Sequence, residues 1–141
     1  MPVLAARSPS IPFGDATCGG ATRAFSTALK TAGIMVYPVV QLPGGSGSNA
    51  VTVYRKGDNL RVVDIKKRVL IDQPLNSIDR LIIVGADNKS DTVTVDLGVG
   101  GNFTLEEGLL FDGGLGKQTD VLVLRGTAGL DQYEVGTDLF I

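Results

Sequence analysis

The chain holds no histidine, one cysteine and 15 aspartate and glutamate residues, so any chemistry falls first to its carboxylates. Asp72, Asp79, Asp96, Asp112 and the adjacent Glu106 and Glu107 are available as acid pairs. Paired carboxyls roughly 6.5–9.5 Å apart beside a sugar groove cleave glycosidic bonds with inversion. Stacking platforms for sugars are scarce, since tryptophan is absent and aromatic residues make up 6%. A polysaccharide-cleaving enzyme is therefore the minor reading. The missing histidine removes the Ser-His-Asp and Cys-His arrangements and every imidazole metal ligand. Cys18 stands alone, so a closed zinc site or an intramolecular disulfide cannot form within one chain, and the redox compartment stays open.

Two glycine-rich stretches invite a phosphate reading and fail it. Gly45-Ser46-Gly47-Ser48-Asn49-Ala50 fits a dinucleotide loop, but Ala50–Tyr54 reads as a strand where a helix must open. Gly113–Thr119 offers Gly116-Lys117, yet Phe111 stands where the first glycine of a phosphate loop belongs, and Gln118 where a hydroxyl must meet magnesium. Asn88-Lys89-Ser90 and Asn102-Phe103-Thr104 are formal glycosylation sequons that mark surface loops. A net charge of −2 supplies no basic face for nucleic acid, so no nucleic-acid partner is expected. No run of eighteen apolar residues is present, so no membrane-spanning helix and no membrane insertion are expected. The start, Met1–Arg7, shows no conventional signal peptide.

The elements that would position these residues divide the chain at residue 33. In residues 1–33, Pro9 and Pro12 break regular structure, and 21–32 can form a short helix with Phe25 and Leu29 on one face and Gly33 as its C-cap. This part is a loose tail or a helical cap over the end of a β-structure. Residues 34–141 carry the β-domain. Hydrophobic residues make up 43% of the chain and glycines number 19, well above the usual share of about 7% and without a collagen period. Short runs between Gly, Asn and Asp clusters predict strands at 34–42, 50–54, 60–65, 69–71, 81–84, 92–97, 103–105, 109–111, 121–124 and 132–135. Val51 and Val53 alternate with Thr52, and Val93 and Val95 with Thr94, which places valines on one face. The continuous run Leu81-Ile82-Ile83-Val84 suits a strand buried on both faces. Lys56–Asn59 should turn a hairpin, and Lys66-Lys67-Arg68 a second, as a solvated basic turn.

The turns echo one another. Gly44–Val53 can be laid over Gly126–Val135, with Asn49 over Asp131, and partial copies begin at Gly85 and Gly113. Each is a glycine turn, an acidic or amide residue, then a strand, the pattern of stacking architectures. These segments resemble degenerate copies of the RTX-type nonapeptide of large bacterial surface and secreted proteins, over about two thirds of the chain. The resemblance implies a parallel β-roll and calcium held in the turns, with Asp87, Asp91, Asp120 and Asp131 as candidate ligands. The pattern departs from that family: the copies are scattered, two extra residues precede Asp120, Asn49 replaces an aspartate and Thr127 a glycine. Calcium takes about six to eight oxygens, so one aspartate per turn is a thin supply, and such aspartates can instead close their own turns.

The expected fold is all-β: an irregular β-helix or β-roll with a hairpin protruding around Val51–Ile71, or alternatively a β-sandwich. The expected function is a non-catalytic structural or assembly module of a secreted or cell-surface repeat protein, with no cofactor unless calcium binds. Calcium-dependent binding or adhesion, with a glycan or protein partner, is the alternative. The apolar close Leu139-Phe140-Ile141 leads to the expectation of a piece cut from a longer array, self-associating through its C-terminal edge.

Overall fold

The structure, a computed structural model, describes residues 33–136. The expected helix at 21–32, Cys18 and Leu139–Ile141 lie outside the described residues. Eight strands follow in order: β1 (Val39–Gln41), β2 (Asn49–Lys56), β3 (Asn59–Asp64), β4 (Val69–Pro74), β5 (Leu81–Val84), β6 (Asp91–Asp96), β7 (Leu109–Asp112) and β8 (Val121–Arg125). Among the described residues there is no α-helix, only a 3-10 turn at Leu75–Ser77. The fold is all-β, as the alternating runs require.

The strands form two sheets. The first has the order β1-β5-β7 and the second β4-β3-β2-β6-β8. All pairings of the first sheet are parallel, with Val40 beside Ile83 and Ile83 beside Phe111. In the second sheet β2, β6 and β8 are parallel, so Val51, Val93 and Leu122 form one row and Val53, Val95 and Leu124 the next. The chain therefore passes from the first sheet to the second three times: β1 to β2, β5 to β6 and β7 to β8. Parallel neighbours cannot be joined by tight turns, and the connections back to the first sheet are accordingly long.

The first such connection contains the antiparallel meander β2-β3-β4, where a protruding hairpin was expected. Lys56 pairs with Asn59, so Gly57 and Asp58 make a two-residue turn. Gly57 sits at φ 61°, a conformation glycine adopts without the Cβ penalty. The β3–β4 register slips once: Val62 pairs with Ile71 but Val63 with Val69, which leaves Leu70 as the extra residue of a bulge.

One hydrophobic core lies between the sheets. Val40, Leu81 and Ile83 contribute from the first sheet, and Val51, Val53, Leu60, Val62, Ile71 and Val93 from the second. Fully burying such a side chain is worth about 1.5–3 kcal/mol, which sets the scale of what holds the sheets together. β5 is half-buried rather than covered on both faces: Leu81 and Ile83 point inward while Ile82 and Val84 are partly exposed. Its apolar outward residues gave the sequence pattern no alternation to read.

Two expected strands are absent. Residues 103–105 lie in the connection from β6 to β7 and pair with no strand among the described residues, although Phe103 and Leu105 still pack on the core. Residues 132–135 form no strand either. Six residues separate Arg125 from Gln132, too few to return in parallel to the outer edge of β8. The superposition of 44–53 on 126–135 is thus not a superposition of strands. Asn49 stands beside Asp91 instead, in the copy that begins at Gly85.

Thr52 and Thr94 are outward neighbours in this register. With Cys18→Ser, the pair Thr52→Cys and Thr94→Cys should close a disulfide on mild oxidation, because parallel neighbours lie within bridging distance. The closed loop should add up to ~4 kcal/mol in the chain-entropy account. The pair Thr52→Cys and Val123→Cys, two strands apart, should stay reduced, as thiol labelling will show.

Candidate functional site

The three passages from the first sheet to the second stack against each other. Their turns occupy residues 42–48, 85–90 and 113–120. Backbone bonds tie neighbouring turns: Leu42 N–H to Val84 O at 2.8 Å, Gly85 N–H to Asp112 O at 2.6 Å, and Asn88 N–H to Leu115 O at 2.6 Å.

Asp91 is the centre of this arrangement. It is fully buried at the start of β6. One carboxylate oxygen accepts the Ala86 amide at 2.7 Å, closing its own turn. The other accepts Asn49 Nδ2 at 2.6 Å from the neighbouring strand. Its own amide donates to Asp120 Oδ1 at 2.9 Å in the next turn. Asn49 Nδ2 also donates to Pro43 O at 3.0 Å. Lys89, likewise buried, donates to Pro43 O at 2.9 Å and fixes the first turn to the second.

Glycine is required in these turns for space. A Cβ on Gly85 would come within 2.5 Å of the Asp91 carboxylate, and a Cβ on Gly113 or Gly126 would overlap Asp120 or Asp131. The carboxylate occupies the volume a side chain would take. Asp131 repeats the closure seen at Asp91, accepting the Thr127 amide at 2.8 Å and the Thr127 hydroxyl at 3.0 Å.

Of the four expected calcium ligands, Asp91 and Asp120 adjoin through the Asp91 amide, and Asp87 accepts the Leu115 amide at 2.8 Å across to the next turn. Asp131 closes the separate turn after β8. Asp87 and Asp112 line an open groove of about 580 Å³ that also touches Pro43, Gly44, Ala86 and Leu115. Among the described residues no three His, Cys, Asp or Glu side chains converge as a metal-holding group.

The candidate catalytic acids are distributed over separate elements. Asp72 on β4 pairs with Arg61 at 2.5 Å and accepts Asn59 Nδ2 at 2.6 Å. Asp96 accepts the Gly98 amide at 3.0 Å and faces Arg125 at 3.6 Å, and Asp112 accepts the Gly114 amide at 2.9 Å. Asp79 and Glu107 adjoin through their backbones, in the connections that lead into β5 and β7. Glu107 N–H donates to Asp79 O at 2.8 Å, and Asp79 Oδ2 accepts the Val36 amide at 2.6 Å. The Tyr37 hydroxyl donates to the Glu107 carboxylate, which lies 3.9 Å from Arg80 Nε. The phenol is pushed up to about 12, first because the hydrogen bond to Glu107 favours its protonated form, then by desolvation and the Glu107 charge.

Sequence reasoning found the turn aspartates but misread Asn49 as a defect in the pattern, and passed over Lys89. A second aspartate beside Asp91 would set two carboxylates against each other, whereas the amide of Asn49 donates. Comparison with protein families, with curated proteins and with solved structures finds no match to this chain.

Two outcomes follow from these contacts. Asp91→Ala leaves the Ala86 amide and Asn49 Nδ2 without their acceptor, at about 1–3 kcal/mol each, so the melting temperature should fall sharply. The drop should be equal in millimolar calcium and in EDTA. A melting temperature that calcium raises, in the parent chain but not in Asp131→Ala, would support metal-held turns instead. Tyr37 is expected to titrate near 12 by ultraviolet absorbance in a Tyr54→Phe, Tyr133→Phe background. Glu107→Gln should bring it back toward 10. Because the folded value lies above the ordinary one, this contribution to stability is complete below pH 10 and is lost as pH rises through 12.

Proposed function

We propose that this chain is a non-catalytic structural and assembly module, built as an irregular β-helix or β-roll with a hairpin inserted in its first coil. The alternating passage between two sheets supports the coil reading. Register partners lie 43 residues apart between β1 and β5, 42 between β2 and β6, 28 between β5 and β7 and 29 between β6 and β8. The longer first interval holds the hairpin. The glycine–aspartate turns support kinship of design with RTX-like surface repeats, and a secreted or cell-surface setting is part of the same proposal.

The observation that carries the assembly reading is the burial along one inward row. Val51 is 3% exposed and Val93 0%, but their partner Leu122 is 40% exposed, with Val121 beside it at 42%. The rung of β7 and β8 has no further strand on its outer edge among the described residues. An apolar edge with unpaired backbone groups templates another strand. The reading assigns that place to a second copy of this chain.

Sedimentation across a concentration series tests it. Association should rise with concentration and be lost in Leu122→Lys, since a charge on an edge strand blocks pairing. A chain that stays monomeric at the highest soluble concentration overturns the assembly reading.

A further inference from the structure

The turn joining β3 to β4 carries an unusual combination of side chains. Lys66, Lys67 and Arg68 are exposed and consecutive, and they are flanked by Ile65, Val69 and Leu70. These three apolar residues are 70%, 50% and 42% exposed. In a chain of net charge −2, this is a cationic and apolar tip on a hairpin.

The tip is built, not slack. Asp64 Oδ1 accepts the amides of Lys66 at 2.8 Å and Arg68 at 2.9 Å, and its second oxygen holds Arg68 Nε at 2.6 Å. Lys67 takes a positive φ of 64°, a conformation uncommon for a non-glycine residue. Asp64 thereby offsets one of the three charges and leaves the ammonium groups of Lys66 and Lys67 to solvent. The bulge at Leu70 disrupts the ladder at the edge of the sheet, a device that discourages strand addition there. The exposed apolar residues are therefore poorly explained by pairing with another strand.

We propose that the 65–70 tip docks on an anionic lipid surface, with Ile65, Val69 and Leu70 entering the headgroup boundary and Lys66 and Lys67 facing the lipid phosphates. Apolar side chains interleaved with cations suit a bilayer interface, where each cation near an anionic leaflet is worth about 1 kcal/mol and buried apolar area adds to that attraction. A soluble polyanion would engage the cations and gain nothing from the three apolar side chains. The inference stands apart from the assembly reading, because it uses the opposite edge of the second sheet.

Co-sedimentation of the full chain with vesicles tests it. Binding is expected to mixed phosphatidylglycerol–phosphatidylcholine vesicles and not to phosphatidylcholine alone. Lys66→Glu with Lys67→Glu should weaken it by at least about thirty-fold, the loss of two such cation contributions. Ile65→Ser with Leu70→Ser, which keeps every charge, should weaken it as well. The chain has no tryptophan, so Ile65→Trp supplies a single indole whose emission should shift to the blue on the anionic vesicles. Melting temperatures of the variants should stay near that of the parent, since all the positions are exposed. Absence of binding to anionic vesicles overturns the proposal. So does binding that survives Ile65→Ser with Leu70→Ser while soluble heparin competes for it, which would mark a polyanion site.

Discussion

A carboxylate with no access to water is expensive unless each oxygen meets a donor. Asp91 meets that condition with an amide from its own turn and a side-chain amide from the neighbouring strand. Everything around it follows from the need to supply those donors. Gly85 must lack a side chain so that the carboxylate can fold back over it. Position 49 must be a donor, and Asn49 is one. The Asp91 amide then donates to Asp120 in the next turn, so Asp91 ties three neighbouring turns together. The valine rows of the second sheet fall into register as a result, with Val51 beside Val93 and Val93 beside Leu122.

Much of this was legible in the residues. Eight of the ten expected strands exist, because alternation of valine with threonine and the glycine turns report local backbone preference and burial together. The meander between Val51 and Ile71 was legible for the same reason, through its two short turns. Residues 103–105 and 132–135 show what local pattern cannot carry. Both have strand-like composition, and neither pairs with a strand among the described residues. A strand is a property of a pair, and along the parallel ladders the partner lies 28 to 43 residues away.

The site was legible in part. Asp87, Asp91, Asp120 and Asp131 stood out because each follows a glycine turn. Their partners did not, since an amide from the next turn leaves no mark near its acceptor in sequence. Lys89 was hidden for a different reason. A lysine in a turn reads as a solvated charge, and only the stacking of turns brings the Pro43 carbonyl to its ammonium. Tyr37 and Glu107 are 70 residues apart and meet only because the segments leading into β1, β5 and β7 lie side by side.

The inserted hairpin has a kinetic consequence. β2 closes onto β3 through a two-residue turn, but onto β6 only after a loop of more than thirty residues. Loop closure disfavours the second event, and hairpins form in about 1–10 μs. β2 is therefore expected to be ordered first by its antiparallel partner and then to serve as the template for β6 and β8 in turn. Substitutions at Gly57 should slow folding, while those in β8 should mainly speed unfolding. In that order of events the hairpin is no ornament on the two sheets: it is the seed from which the parallel ladder β2-β6-β8 grows.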